Sequence, residues 1–134
     1  MCVVIRFGQL LSERIGHYAM NTERYLCFRD AGKFDNPRTF DIFFNGSDIC
    51  NDQLAAMWDR TLHINRLALW LNTANGWLPG GALHRIPLPD YEDSEEYLGR
   101  FDAHLSFTPE EEQEGQQRVK QLGIKEDAPF VCFH

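Results

Sequence analysis

Two periods of apolar positions succeed one another along this chain, and the switches between them mark its elements. Cys2 to Phe7 is a short apolar run rich in β-branched residues and predicts a buried strand, interrupted by Gly8. The next stretch, to His17, has mixed polarity and is expected to be a long loop into a helix. From Tyr18 to Arg29 the spacing turns helical, with Ala19, Met20, Glu23, Leu26 and Cys27 alternating faces. Asp30-Ala31-Gly32 ends it, with Gly32 as a C-cap. Thr39 to Phe44 then alternates at strand period: Phe40, Ile42 and Phe44 on one side, Thr39, Asp41 and Phe43 on the other.

Asn45-Gly46 is a turn signal, and Ser47 is placed to cap a helix with the apolar stripe Ile49, Cys50, Leu54, Met57, Trp58 and Leu62. Arg66 to Asn75 predicts a further helix with Leu67, Trp70, Leu71 and Ala74 on one face. Pro79-Gly80-Gly81 closes that region, and His84 to Pro89 is expected to be extended, since each proline keeps its predecessor out of a helix. Thr108-Pro109-Glu110-Glu111 sets an N-cap, a first-turn proline and a capping-box acid in register, and Gly123 ends that helix. Phe130 to His134 predicts a last strand. Strands separated by helices imply an α/β protein with a parallel sheet. Because the chain stops at His134, on the last residue of that strand pattern, it is expected to be a piece of a larger protein.

Composition narrows the function classes. The chain has 134 residues and is 43% hydrophobic and 25% charged, enough apolar material for a core. A net charge of −7 gives no basic face for nucleic acid or an anionic membrane, so neither is expected as a partner. The apolar runs fall well short of a membrane span, so no transmembrane segment is expected, and the start carries no signal-peptide pattern. None of Cys2, Cys27, Cys50 and Cys132 forms a CxxC pair, which suggests reduced cysteines and a cytoplasmic location. The five histidines, His17, His63, His84, His104 and His134, show no metal-ligand spacing, so neither a metal nor another cofactor is expected.

Ligands of parallel sheets sit beyond the carboxyl ends of the strands. Two segments are expected there. One is Arg14-x-Gly16-His17, just before the first helix. An arginine can pair with a phosphate, a glycine permits close backbone approach, and a histidine can orient a hydroxyl or act as a base. The other is His134. Glu23, Asp30 and Asp41 are candidate general bases, each more simply read as a surface charge. Trp58, Trp70 and Trp77 are expected in the core or at a domain interface rather than as a sugar-stacking platform.

Together these segments resemble a family of bacterial glycosyltransferases, distantly similar to the GT-B fucosyltransferase superfamily. The resemblance rests on Arg14-Ile15-Gly16-His17, Asn21-Thr22-Glu23-x-Tyr25-Leu26-Cys27, Asp30-Ala31-Gly32, Asp41-Ile42-Phe43-Phe44, Ile49-Cys50-Asn51-x-Gln53-Leu54, Leu78-Pro79-Gly80-Gly81, Leu105 to Glu112, and Phe130 to His134. It implies a Rossmann-like parallel sheet flanked by helices, the N-terminal half of a truncated GT-B architecture. Residues 1–105 would form the acceptor-side domain. Residues 106–134 would supply a linking helix and the first strand of a missing C-terminal, donor-binding domain. The implied reaction moves a sugar from a nucleotide-sugar donor to a glycan or other hydroxyl acceptor without a metal. Arg14 would stabilise charge, His17 would make polar contacts in the place of the family's asparagine, and Gly16 and His134 would line the substrate site. A free-standing α/β binding or interaction domain is the alternative. It predicts no exposed apolar face, whereas the half-enzyme predicts one.

Overall fold

The computed structural model describes residues 3–34, 38–87, 95–125 and 128–129. The expected strand Phe130 to His134, and with it His134, lies outside the described residues, as do Cys2 and Cys132.

The fold is α/β and is centred on two parallel strands, β1 (Val4–Leu10) and β2 (Thr39–Asn45), joined by helix α1 (Ile15–Asp30). Helix α2 (Asp52–Thr61) follows β2, and α3 (Leu67–Asn75) packs against both strands. A 3-10 turn (Gly81–His84), a short helix α4 (Glu95–Leu98) and a longer one, α5 (Pro109–Gln121), complete the described elements. Single parallel bridges extend the pairing on both sides, Ile64 beside Phe43 of β2 and Arg85 beside Phe7 of β1. The lateral order is therefore Ile64, β2, β1, Arg85. The chain fills one side of β1 with its first two crossovers, then returns past β1 through α3 to the other side.

β1 runs through Gly8 to Leu10 instead of breaking there. A Cβ on Gly8 would stand 2.8 Å from Ile86 and 3.0 Å from Phe43, so the glycine lets those two side chains meet over the strand. α1 in turn starts at Ile15, three residues earlier than expected, and the connecting loop shrinks to Leu11–Arg14. At its other end Gly32, at φ +68°, sits just past the Ala31 cap and donates its N–H to the Arg29 carbonyl. Ser47 does not cap α2. Asn51 does, accepting the Leu54 N–H at 2.8 Å, and leaves Ile49 and Cys50 exposed ahead of the helix. The capping box of α5 forms with Thr108 and Glu111 as its two ends. Of the stretch expected to be extended, His84 belongs to the 3-10 turn, Arg85 to Pro87 have no helix, and Leu88 and Pro89 lie outside the described residues.

Strand alternation gives the sheet two unlike faces. Arg6, Gly8 and Leu10 share one with Asp41, Phe43 and Asn45. Against it Tyr18, Tyr25 and Leu26 of α1 and Leu54 and Trp58 of α2 form the core with Leu62 and Ile86. Trp58 is fully buried and donates its indole N–H to the Tyr18 carbonyl at 3.1 Å. The opposite face carries α3. Its buried residues are Ala68 and Asn75, and Asn75 is pinned by a bond to the Gly81 carbonyl. The apolar stripe of α3 is largely uncovered: Leu67, Leu71 and Trp70 are exposed, Trp70 by 73%, and Trp77 beyond the helix by 83%. Of the three tryptophans only Trp58 is core. No helix among the described residues is long and apolar enough to cross a membrane.

Candidate functional site

Because β1 and β2 are parallel, their carboxyl ends deliver two loops to one edge of the sheet. These loops are tied together. Ser12, fully buried, donates its hydroxyl to the Asp48 carbonyl at 2.5 Å and accepts the Gly46 N–H at 3.0 Å. Glu13 reaches across to accept the Ser47 N–H at 2.9 Å. The N–H groups of Glu13 itself and of Ser47 hold that carboxyl below the usual carboxylate range. A Cβ on Gly46 would overlap the Glu13 carboxylate, so a side chain there would drive Glu13 off Ser47.

On this braced loop α1 begins. Arg14 is its N-cap residue, in extended conformation and with no side-chain cap, and the first turn holds no acid. The N–H groups at the start of a helix carry partial positive charge. Here they lie beside the exposed Arg14, with no acid in the first turn, while the neighbouring Glu13 carboxylate is turned to Ser47. Gly16 and His17 fall within that first turn, Gly16 exposed with open space where a side chain would be, and His17 half-buried. Tyr18 anchors the turn from below, donating its phenol to Asn45 at 2.9 Å, and burial pushes that phenol up to about 12. Arg14, Gly16 and His17 are thus neighbours at the start of α1, on the carboxyl edge of the sheet, where free helix N–H groups suit an anionic group.

The three acids proposed as general bases lie elsewhere, and each is engaged. Asp41 does not face solvent. It receives a two-point ion pair from Arg6, Nε and Nη2 each at 2.7 Å, and a short hydrogen bond from the Tyr25 hydroxyl. The Asp41 carboxylate raises the Arg6 pKa against the opposing effect of burial. A cavity of about 650 Å³ opens beside this trio at the amino ends of the strands, away from Arg14 and His17.

Glu23 and Asp30, one face of α1 apart by two turns, converge on a residue that sequence reasoning passed over. His104 places Nδ1 2.8 Å from Glu23 Oε1 and Nε2 2.9 Å from Asp30 Oδ2, and its backbone N–H donates to Glu23 at 3.1 Å. Burial works against the charged imidazole, but the two carboxylates outweigh it and the His104 pKa is raised. Asp30, also opposed by burial, is drawn below its usual range by His104 and Arg29. Buried Cys27 lies between the two acids on the helix. His104 is 81 residues from Glu23 in the chain, so no local spacing could have linked them. The visible half of the signal was Glu23-x-x-x-Cys27 on one helix face.

The chain matches no protein-family profile, no curated protein and no solved structure.

Proposed function

We propose that the chain is the acceptor-side half of a nucleotide-sugar glycosyltransferase of GT-B type, built on a Rossmann-like sheet and inactive by itself. The observation that carries this reading is the start of α1: without a side-chain cap, with no acid in its first turn and Arg14 beside it, at the carboxyl edge of β1. That is the place where an open α/β sheet receives a ligand, beside the strand at which the chain order turns back. The exposed apolar row on α3 adds support, since a half-enzyme needs a face for its partner and a free-standing binding domain does not.

In this reading the chemistry is sugar transfer to an acceptor hydroxyl. Arg14 and the N–H groups around Gly16 stabilise negative charge on the leaving group, and His17 orients the acceptor or the diphosphate through its ring. The base that takes the hydroxyl proton is none of Glu23, Asp30 and Asp41, whose carboxylates are committed to His104 and Arg6. A base and the donor nucleotide pocket are then supplied by a second domain beginning around residue 106. Cys27 and Cys50 are free thiols, which suits a cytoplasmic enzyme.

The DNA beyond codon 134 tests this most directly. An open frame with an arginine two residues after His134 is expected, and the longer protein should transfer sugar from a nucleotide donor. In it Arg14→Ala should lower kcat by about 100-fold, as for loss of one charge-stabilising donor. A stop codon at position 135, or transfer indifferent to Arg14→Ala, overturns the reading.

A further inference from the structure

We propose that Glu23, Cys27 and His104 form a binding site for one zinc ion, with Asp30 as the carboxylate that orients the histidine. The inference is independent of sugar transfer, since the cluster starts six residues along α1 from His17, about 9 Å at helical rise.

The donor set comes first. One ligand atom from each of Glu23, Cys27 and His104 lies within 4.8 Å of the others. Donors held 2.0–2.3 Å from a tetrahedral zinc stand about 3.3–3.8 Å from each other. The separations here straddle that range: 2.8 Å from His104 Nδ1 to Glu23 Oε1, and 4.0 Å from Cys27 Sγ to the same oxygen. Small rotations about side-chain bonds bring the three to a common centre. Glu23 and Cys27 are one turn apart on a single helix, so their spacing is set by the backbone and not by loop placement. A sulfur, an imidazole nitrogen and a carboxylate oxygen together favour zinc over magnesium or calcium, which take oxygen alone.

The surroundings add a second reason. A histidine that binds zinc through one nitrogen usually donates its other N–H to a carboxylate. His104 Nε2 already meets Asp30 Oδ2 at 2.9 Å, which leaves Nδ1 as the ligand atom. Glu23 is held in turn by the His104 backbone N–H. A plain ion-pair clamp explains the histidine and the two acids, while Cys27 packs in an apolar cluster with Phe28 and Tyr97 and still holds its sulfur 4.0 Å from Glu23 Oε1. Burial, Glu23 and Asp30 all push the Cys27 pKa up, so the thiol is a poor nucleophile where it stands. A dication reverses that field, because a coordinated thiol is deprotonated outright.

The proton count follows. When the ring is protonated, both of its nitrogens donate to carboxylate oxygens. Zinc replaces the proton on Nδ1 and the proton on Cys27 Sγ, so up to two protons leave per ion, while Nε2–H stays on Asp30. Three protein ligands leave a fourth position for water. The bound ion would staple the segment carrying His104 to α1.

Cobalt(II) and zinc titrations of the whole chain test the site. Cobalt(II) should bind at one equivalent and give a thiolate-to-cobalt absorption band, and zinc should displace it and raise the melting temperature. Cys27→Ser should abolish the band. Asp30→Asn should weaken binding by about 10-fold and His104→Ala by about 100-fold or more. Should His104→Ala fail to fold, Cys27→Ser and Asp30→Asn carry the test. No thiolate band in the unsubstituted chain, or a band that survives Cys27→Ser because Cys2, Cys50 or Cys132 supplies the sulfur, overturns the proposal.

Discussion

The two faces of the small sheet are built from the same kinds of residue and come to opposite ends. On the α1 and α2 side, aromatic rings are buried and three polar pairs form within the protein: Arg6 to Asp41, Tyr25 to Asp41, Tyr18 to Asn45. On the α3 side the strand residues are aromatic and aliphatic too, but the helix over them leaves its large residues exposed. Apolar content alone therefore does not decide burial. What decides it is what covers the face, and α3 buries only Ala68 and Asn75 while its Leu71 and Ala74 line an open cavity with Ile5 and Phe7 of β1. The first face is a finished core. The second is finished only if something else lies on it.

The comparison breaks most readily at Trp58. Truncation to alanine removes the largest fully buried side chain and its hydrogen bond to Tyr18, and should cost about 3–5 kcal/mol in a denaturant melt. Trp58→Phe, which keeps most of the volume, should cost clearly less. A near-neutral Trp58→Ala would mean that α2 is not packed as described. Next comes Asp41→Asn, which leaves the Arg6 guanidinium without its counter-charge where both side chains are about nine-tenths buried, and should cost about 3 kcal/mol. It has a second readout. Burial first, then the bond to Asp41, raises the Tyr25 phenol above its usual range, so the variant should lower that pKa in a spectroscopic titration.

These two residues also mark how far the sequence could be read. Strand and helix identities follow from periodicity, and the α5 capping box and the Gly32 and Gly123 stops follow from local chemistry, because each depends on neighbours within a few residues. Trp58 as core was legible for the same reason. Asp41 was not: its position on an alternating strand is equally consistent with solvent and with Arg6, and the choice is made by a partner 35 residues away. The exposed stripe of α3 failed in a different way. Its pattern does have helical period, but period gives a face and not what that face meets. Of the candidate site, the grouping of Arg14, Gly16 and His17 at a strand's carboxyl end was visible in the order of elements, whereas the convergence of Glu23, Cys27 and Asp30 on His104 was not.

A smaller effect is expected at the edge of the finished face, where Arg60 of α2 reaches Glu111 of α5 through two hydrogen bonds of 2.9 and 3.0 Å. The Thr108 N–H and then the Arg60 guanidinium lower the Glu111 carboxyl to about 2. A carboxyl depressed in the folded state contributes stability above its unfolded pKa and loses it as pH falls through the folded value. The attachment of α5 should therefore hold at neutral pH and weaken between about 4.5 and about 2. Carbon-13 NMR of the Glu111 carboxyl checks this, and titration near 4.5 would show that the bonds do not hold it in solution. Glu111→Gln should keep the cap on Thr108 and lose the acid-sensitive link to Arg60.

The smallest effect on stability is also the one that tells the two faces apart. Replacing Trp70 and Trp77 with serine removes two large rings from the open face, and the melting free energy should change by less than about 0.5 kcal/mol per site, because neither ring is covered. What should change is association. An apolar row of this size drives contact with another surface, so the unsubstituted chain should self-associate at high concentration and the double variant much less, as read by sedimentation velocity. If the double variant instead melts several kcal/mol lower, α3 is already packed and the face needs no partner. If stability holds but association does not fall, the row is exposed without being adhesive, and the support it lends to a two-part enzyme disappears. Only unchanged stability together with lost association fits a face shaped for another domain.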